Sequence, residues 1–539
     1  MQRRRKATEF VAVAGALMLA AAACGGGGGA KGGGGGGGSA KKALVIGTTD
    51  AGVTTVDPAG SYDLPSSTVQ YNIFQLLVKI PAGGNKPVPD AAQTCDFTDP
   101  KTYKCTMKDG LKFSNGNPLT ALDVKFSYDR LIKINDPNGT ASAIYGTAGE
   151  GGKVADPEAT VEAPDPKTVI FHLKAPDATW PVKLTYAAAG IVDHTVFPAD
   201  KKLEDSKVVG SGPYKLTKFQ KDQQAVFEAN PNYAGDTKPK VPNVIVRYYK
   251  QSSALKLAIE QGEVDVAYRN LSPTEFKALQ GESNKGVSVV SGNGTEIRYL
   301  VFNVKKAPFD KKEVRQALAH VINRDDIANN IYNGTVQPLY SLVPQGLDGH
   351  TEAFKDQYGT PDPAKAKALI QQAGLKTPVP ITMWYSPTHY GPATADELNQ
   401  IKRTLDASGV FSVTLKNTEW EQYQEQYDKQ VFQVFQLGWF PDYPDPDDYL
   451  SPFLVKGGFF NQNYDNAATD KMIGQEQKET DLQKRVPMFE QIQKTTAEDV
   501  PVLPLWQGKQ VAAVRTGVTG VQTTFDPSFT FRFYVIDKQ

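Results

Sequence analysis

Cysteine is scarce in this 539-residue chain, which has Cys24, Cys95 and Cys105 and no others. Histidine is nearly as rare: His172, His194, His320, His350 and His389 are scattered, and none forms a His-Glu-x-x-His or His-x-His pair. So few soft or imidazole ligands give no basis for a zinc site or a metal hydrolase, and no metal or other cofactor is expected. Gly210-Ser211-Gly212-Pro213 lacks the closing glycine of a nucleophile elbow, and Gly151-Gly152-Lys153 runs into Val154 where a phosphate loop needs Ser or Thr. An excess of one charge is missing too. With 59 basic and 59 acidic residues, the chain has no footprint for nucleic acid or an acidic membrane surface. Long apolar runs are absent except for residues 10–23, too few to span a bilayer core of roughly 30 Å.

That run follows Arg3, Arg4, Arg5 and Lys6, ends in small residues before Cys24, and leads into a glycine tract over residues 25–38. A basic start, a short apolar stretch and small residues before the cut predict an export signal. The placement of Cys24 resembles a bacterial lipoprotein signal, with Ala21 where leucine is usual. The resemblance implies that residues 1–23 are removed, that Cys24 is acylated, and that the protein sits lipid-anchored on the extracytoplasmic face of the cell membrane. An ordinary secretory signal with an incidental cysteine is the alternative. A twin-arginine signal fits the residues around Arg3 to Arg5 poorly. The remaining chain carries 55 basic against 58 acidic residues. Residues 24–42 cannot bury a core, and as flexible coil they form a leash of roughly 20–25 Å.

The 516 residues that follow the signal exceed one ordinary core, so two or three domains are expected. Strand-like segments at 43–48, 169–173, 244–249 and 431–437 alternate with helical ones at 121–131, 253–261, 311–323, 363–373 and 395–408, which predicts an α/β fold. Thr120 with Asp123 makes a capping-box-like start, Asp362-Pro363 puts proline at a first helical position, and Gly374 is a stop signal. Cys95 and Cys105 flank Asp99-Pro100 turn chemistry between two β-prone runs, so they face each other in a hairpin. In an exported protein this predicts a disulfide, with two free buried thiols as the alternative.

Asp442, Asp445, Asp447 and Asp448 form the one dense acidic cluster. A glycosidase pair or a calcium loop comes to mind, but the calcium-loop glycine and terminal glutamate are missing. Pro441, Pro444 and Pro446 stiffen the segment, and turns plus a helix start near Tyr449 account for most of these aspartates.

The stretch from Tyr103 to Val124, with Asp109-Gly110-Leu111-Lys112-Phe113-Ser114-Asn115-Gly116 at its centre, closely resembles the signature of the extracellular solute-binding proteins of family 5. These are the binding subunits of dipeptide, oligopeptide and nickel ABC importers. Further blocks resemble the same family in the same order: Thr55-Val56-Asp57-Pro58-Ala59, Gly210-Ser211-Gly212-Pro213-Tyr214, Asn230-Pro231-Asn232-Tyr233, Val314-Arg315-Gln316-Ala317-Leu318, and Gly438-Trp439-Phe440-Pro441-Asp442. Read without the family, most of these are turns and close backbone approaches, hence scaffold.

The resemblance implies a two-lobed periplasmic-binding-protein fold with an extra subdomain in the first lobe. Matching blocks place the first lobe at 43–69, 208–292 and 511–539, the inserted subdomain at 70–207 and the second lobe at 293–510. It also implies a non-enzymatic, monomeric receptor that captures a peptide between the lobes and delivers it to an ABC permease and its ATPase. Nickel chelates, haem, sugars and opines are alternative ligands, and a peptide-signal receptor or a lipid-anchored envelope hydrolase are alternative functions. In peptide-binding relatives the aspartate after a Gly-Trp-x-x stretch receives the ligand's amino terminus, a role that falls here on Asp442. Gly438 and Phe440 are expected to offer backbone to an extended ligand and Trp439 to wall the pocket. Trp420, Tyr62, Leu64 and Tyr145 are further candidates by order along the family pattern. Gln436 stands where some oligopeptide binders carry an arginine that helps hold a carboxylate.

Overall fold

The computed structural model describes residues 43–539 apart from 51, 138, 149–152, 282–284, 388, 392, 457 and 459–463. Cys24 and the glycine leash lie outside the described residues.

Two long antiparallel strands, Val287–Phe302 and Val502–Arg515, form the spine of an eleven-stranded mixed sheet. Their register runs from Val287 opposite Arg515 to Val301 opposite Val502 and is interrupted between Asn293 and Ile297. On one side of this interruption the sheet continues through Val266–Tyr268, Leu44–Thr48, Asn243–Tyr248, Gln224–Ala229 and Tyr214–Gln220. On the other it continues through Val434–Trp439, Val379–Tyr385 and Phe411–Asn417, and the short strand Val336–Pro338 pairs with Val502–Arg515 as the eleventh. Each half is covered on both faces, as the period-two alternation of a strand demands. Ala512 and Val514 join one core with Leu44, Ile46, Val244 and Val246, while Ala513 turns to a second with Leu255 and Ile259. Farther along the spine, Leu300 and Phe302 pack into a third core and Ile297, Tyr299 and Val301 into a fourth. Arg298 falls on the Leu300 face, a position that reappears in the cleft.

A separate four-stranded antiparallel sheet, Ala92–Asp99, Thr102–Met107, Thr168–Leu173 and Ala159–Asp165, has its own core of Tyr128, Tyr145, Phe171 and Trp180 in edge-to-face contacts. Cys95 and Cys105 are register partners in its first hairpin and are joined by a disulfide of 2.00 Å.

The helix at 121–131 appears as Ala121–Ile134, where the Asp123 carboxylate accepts the Thr120 N–H at 2.8 Å and its hydroxyl at 3.1 Å. The helix expected over 311–323 ends sooner, as Lys312–Ala319. Asn323 accepts the Asp326 N–H at 3.0 Å and restarts the chain as a new turn, because a short amide side chain competes with the helix for backbone donors.

The scaffold blocks meet at one junction. A Cβ on Gly210 would lie 1.9 Å from the Ile73 carbonyl oxygen, and the Gly212 N–H donates to that oxygen at 2.8 Å. Ser114 N–H donates to the Gly210 carbonyl at 2.9 Å, and the Asn230 and Asn232 amides reach the Gly212 and Phe113 carbonyls at 2.9 and 3.2 Å. Ile73 ends the helix Leu64–Ile73, so this junction fixes a helix whose other end opens on the cleft.

Candidate ligand-binding cleft

A cleft of about 810 Å³ opens where the two halves of the sheet face each other. Tyr62, Leu64, Thr185, Tyr186, Arg269, Gln510 and Phe529 line it. Arg298, Tyr390, Trp420, Trp506 and the run Gly438 to Tyr443 complete the lining.

Local chemistry sets each wall. Asp57 is fully buried and accepts a two-pronged bond from Arg130, at 2.8 and 2.6 Å, with the Leu203 N–H at 2.7 Å. This satisfied ion pair pins the loop that carries Tyr62. Asp63 then caps the following helix, accepting the Ser66 N–H at 2.7 Å, and Leu64 starts it. Opposite, the strand Val434–Trp439 pairs with Val379–Tyr385 only at Val434 and Phe435. Among the described residues no strand covers its edge beyond Phe435, and Gly438 to Phe440 face the cleft.

The loop after Gly438 is held by Asp448. Its Oδ2 accepts the Trp439 Nε1–H and the Asp442 N–H, each at 3.0 Å. Trp439 is fixed further by an edge contact with Phe453 at 5.5 Å between ring centroids. The Asp442 carboxylate accepts the Tyr62 hydroxyl, and it forms no ion pair with Lys or Arg among the described residues. Burial pushes its carboxyl up to about 6, with the Tyr62 bond acting in the opposite sense. Burial and the nearby Asp442 push the Asp448 carboxyl well above its ordinary value. Phe440 is 38% exposed, lies under the Arg269 guanidinium at 5.2 Å and meets Phe529 edge-on at 5.6 Å.

The remaining candidates divide. Tyr62, Leu64 and Trp420 line the cleft with the Gly438–Asp442 run. Trp420 stacks flat on His389 at 3.6 Å, and burial together with the Arg298 charge pushes that imidazole down to about 4. Tyr145 is corrected: it is wholly buried in the inserted subdomain, where it packs on Tyr128 and Trp180 and donates to the Lys183 carbonyl at 2.9 Å. Order along the chain placed it near the cleft, whereas the large ring serves that subdomain's small core. Gln436 is also fully buried, donating to Glu397 at 3.0 Å behind the cleft wall.

Two charged cleft residues, Arg269 and Arg298, and the neutral Asn270 were missed. Arg269 and Asn270 both have positive φ, at 66° and 62°, and both hold Asp50, at 2.8 Å each. Two consecutive non-glycine residues in that region are uncommon in a chain. Arg298 is 2% exposed, paired with Glu296 at 2.5 Å and seated between the Tyr390 and Trp506 rings at 4.2 and 4.9 Å. The signal for Arg298 was an arginine inside an otherwise apolar β run, Ile297 to Phe302.

The family model described as bacterial extracellular solute-binding proteins, family 5 Middle, matches residues 86–461. The chain belongs to this family. Family 5 proteins are transport binding proteins, not enzymes. The family 5 chain is 29% identical over 498 residues to the probable D,D-dipeptide-binding periplasmic protein DdpA of Escherichia coli, covering 88% of this chain and 90% of that one. It is 28% identical over 465 residues to di/tripeptide-binding protein 3 of Pseudomonas aeruginosa, covering 82% and 85%. Among solved structures, the open, unliganded murein tripeptide binding protein MppA superposes with a TM-score of 0.78 at 21% identity, covering 92% of this chain and 97% of that one. The peptide-bound DppA of Helicobacter pylori superposes at 0.72 with 25% identity, covering 92% and 98%. The two-lobed mixed α/β fold expected from the motif blocks is therefore the fold of this protein. No helix among the described residues is long and apolar enough to cross a membrane.

Proposed function

We propose that this family 5 protein captures peptides outside the membrane, holds them between its lobes and delivers them to an ABC permease. The single observation that carries the peptide reading is Asp442: a partly buried cleft carboxylate without a cationic partner, presented by a loop that Asp448 holds rigid. A peptide's ammonium group supplies that missing cation, and the uncovered edge at Gly438 to Phe440 offers backbone groups that tolerate any side chain. The relatives whose names specify dipeptides or di- and tripeptides support the same reading.

Binding draws the two lobes together about the register break at Asn293–Ile297. The lobes take the bounds 43–69, 208–292 and 511–539 against 293–510, with 70–207 inserted. Contacts of Arg269 with Phe440 and of Tyr62 with Asp442 mark surfaces that meet on closure. Export and acylation of Cys24 leave the receptor leashed beside its permease.

Calorimetry with di- and tripeptides and their N-acetylated forms tests the proposal. Free peptides bind, acetylated ones do not, and Asp442→Asn weakens the free peptides by roughly 3–5 kcal/mol, the cost of stranding a buried ammonium. Equal affinity for free and acetylated peptides sinks the role of Asp442.

A further inference from the structure

We infer that Glu476 is a neutral acid in the folded protein and donates a hydrogen bond from Oε1 to Asp447, forming a proton clasp behind the ligand loop that opens in alkali. The inference does not depend on which ligand the cleft holds.

Three carboxyl groups crowd one buried guanidinium. The side chains of Arg485, Asp445 and Glu476 are 4%, 12% and 0% exposed, and Asp447 is buried beside them. Arg485 grips Asp445 with Nη1 and Nη2 at 2.9 and 2.8 Å, and turns Nε and Nη2 to Glu476 Oε2 at 3.1 and 2.8 Å. Arg130 and Arg532 are as deeply buried, yet each meets a single carboxylate, Asp57 or Asp526.

Oε1 of Glu476 is what remains. It receives no donor among the described residues, and the Glu476 carboxyl lies within hydrogen-bonding reach of Asp447. Two buried carboxylates in contact do not both stay ionised, so one keeps its proton. Asp447 is the better acceptor, because its Oδ1 takes the Gln477 Nε2–H at 3.1 Å and its Oδ2 the Tyr443 hydroxyl at 3.4 Å. Among the described residues no cation stands in for the proton. Arg485 is already shared. Lys183 is held by Asp177 and Glu158 at 2.8 and 2.9 Å, the two further carboxylates that come near Tyr443 and Asp447. Burial, and after it the Asp447 charge, push the Glu476 carboxyl up to about 10.

The clasp reaches the ligand loop. Asp445, Asp447 and Asp448 follow Asp442 into the helix Asp447–Leu454, and Asp448 holds the Trp439 indole and the Asp442 N–H. Gln477, one residue past Glu476, accepts the Ala178 N–H on its carbonyl at 2.8 Å, and its side chain also reaches Ser451 at 3.2 Å. Loss of the proton sets two bare carboxylates against each other between the helices Asp447–Leu454 and Ala467–Glu476. Because the Glu476 carboxyl is raised from its ordinary 4.5, the native state binds more protons than the unfolded one up to about pH 10. Its contribution to stability therefore falls as pH rises through that window.

Thermal unfolding of the full-length protein between pH 5 and pH 10 compares the wild type with Glu476→Gln. The amide keeps a donor toward Asp447 and an acceptor toward Arg485 but has no proton to lose. The unfolding constant of the wild type should rise relative to the variant's by up to about tenfold per pH unit, with the two closest at pH 5. Infrared spectra at pH 8 should show a protonated-carboxyl band in the wild type that shrinks in Glu476→Gln. Should that variant not fold, Asp447→Asn removes the opposing charge and should lessen both the slope and the band. Parallel pH profiles for the wild type and the variants, or an unchanged band, overturn the clasp. So does a wild-type midpoint that rises with added calcium or potassium while that of Glu476→Gln does not, since a cation then occupies the place of the proton.

Discussion

Tyr62 and Asp442 meet in the cleft, where the phenol of the first donates a hydrogen bond to the carboxylate of the second. The carboxylate proposed to hold a ligand is thus already engaged by a phenol across the cleft. A peptide ammonium must share or displace a neutral donor there, and a charge-assisted bond outcompetes a neutral one.

Acid should weaken binding through Asp442. Burial pushes its carboxyl up to about 6, and it must be ionised to hold an ammonium. Affinity for free peptides should be flat above about pH 7 and fall by up to about tenfold per pH unit below 6. Calorimetry from pH 8 to pH 5 checks this, and Asp442→Asn should remove the slope.

The same residue should oppose folding at neutral pH. A carboxyl raised from its ordinary 3.8 makes the native state bind more protons than the unfolded state between those values, so its contribution to stability falls as pH rises through that window. Asp442→Asn should raise the thermal midpoint of the ligand-free protein at pH 7 and leave it unchanged below about pH 4. A lower midpoint at pH 7 would mean the carboxylate is structural.

Asp448 should behave as a positioning group. Asp448→Ala strands the Trp439 indole N–H and the Asp442 N–H, costing about 1–3 kcal/mol for each and loosening the loop. Asp448→Asn keeps an acceptor of the same shape and should cost less than about 1.5 kcal/mol. Thermal unfolding of both variants, with peptide affinity alongside, separates the two cases.

Cys95 and Cys105 should resist alkylation until reduced, as intact mass before and after reduction will report. Closing so short a loop limits the benefit to about 3 kcal/mol, and the hairpin's own pairing makes the measured loss on Cys→Ser replacement smaller.

Membrane attachment should depend on Cys24. Cys24→Ser is expected to release the protein into the soluble fraction, and a serine variant that survives a detergent-free high-salt wash on membranes would refute the anchor.

Much of this protein is dictated locally. The capping carboxylates of Asp123 and Asp362 accept their N–H donors at helix starts read from neighbouring residues, because a cap is a contact across three positions. Gly210 and Gly212 marked a close backbone approach, although nothing in the sequence named Ile73 as the partner. The Gly438–Asp442 run was legible as a ligand loop through its resemblance to relatives, and Tyr145 was misplaced because order along a pattern carries no information about which core a ring enters. Tertiary structure alone decided the rest. Arg298 meets Gly438 through strand pairing 140 residues apart, and Tyr62 meets Asp442 across 380. Asp448, which looked like a helix-start aspartate, turned out to hold the indole and backbone of the ligand loop. Such contacts join residues hundreds of positions apart across the cleft, and no local propensity or spacing encodes that distance.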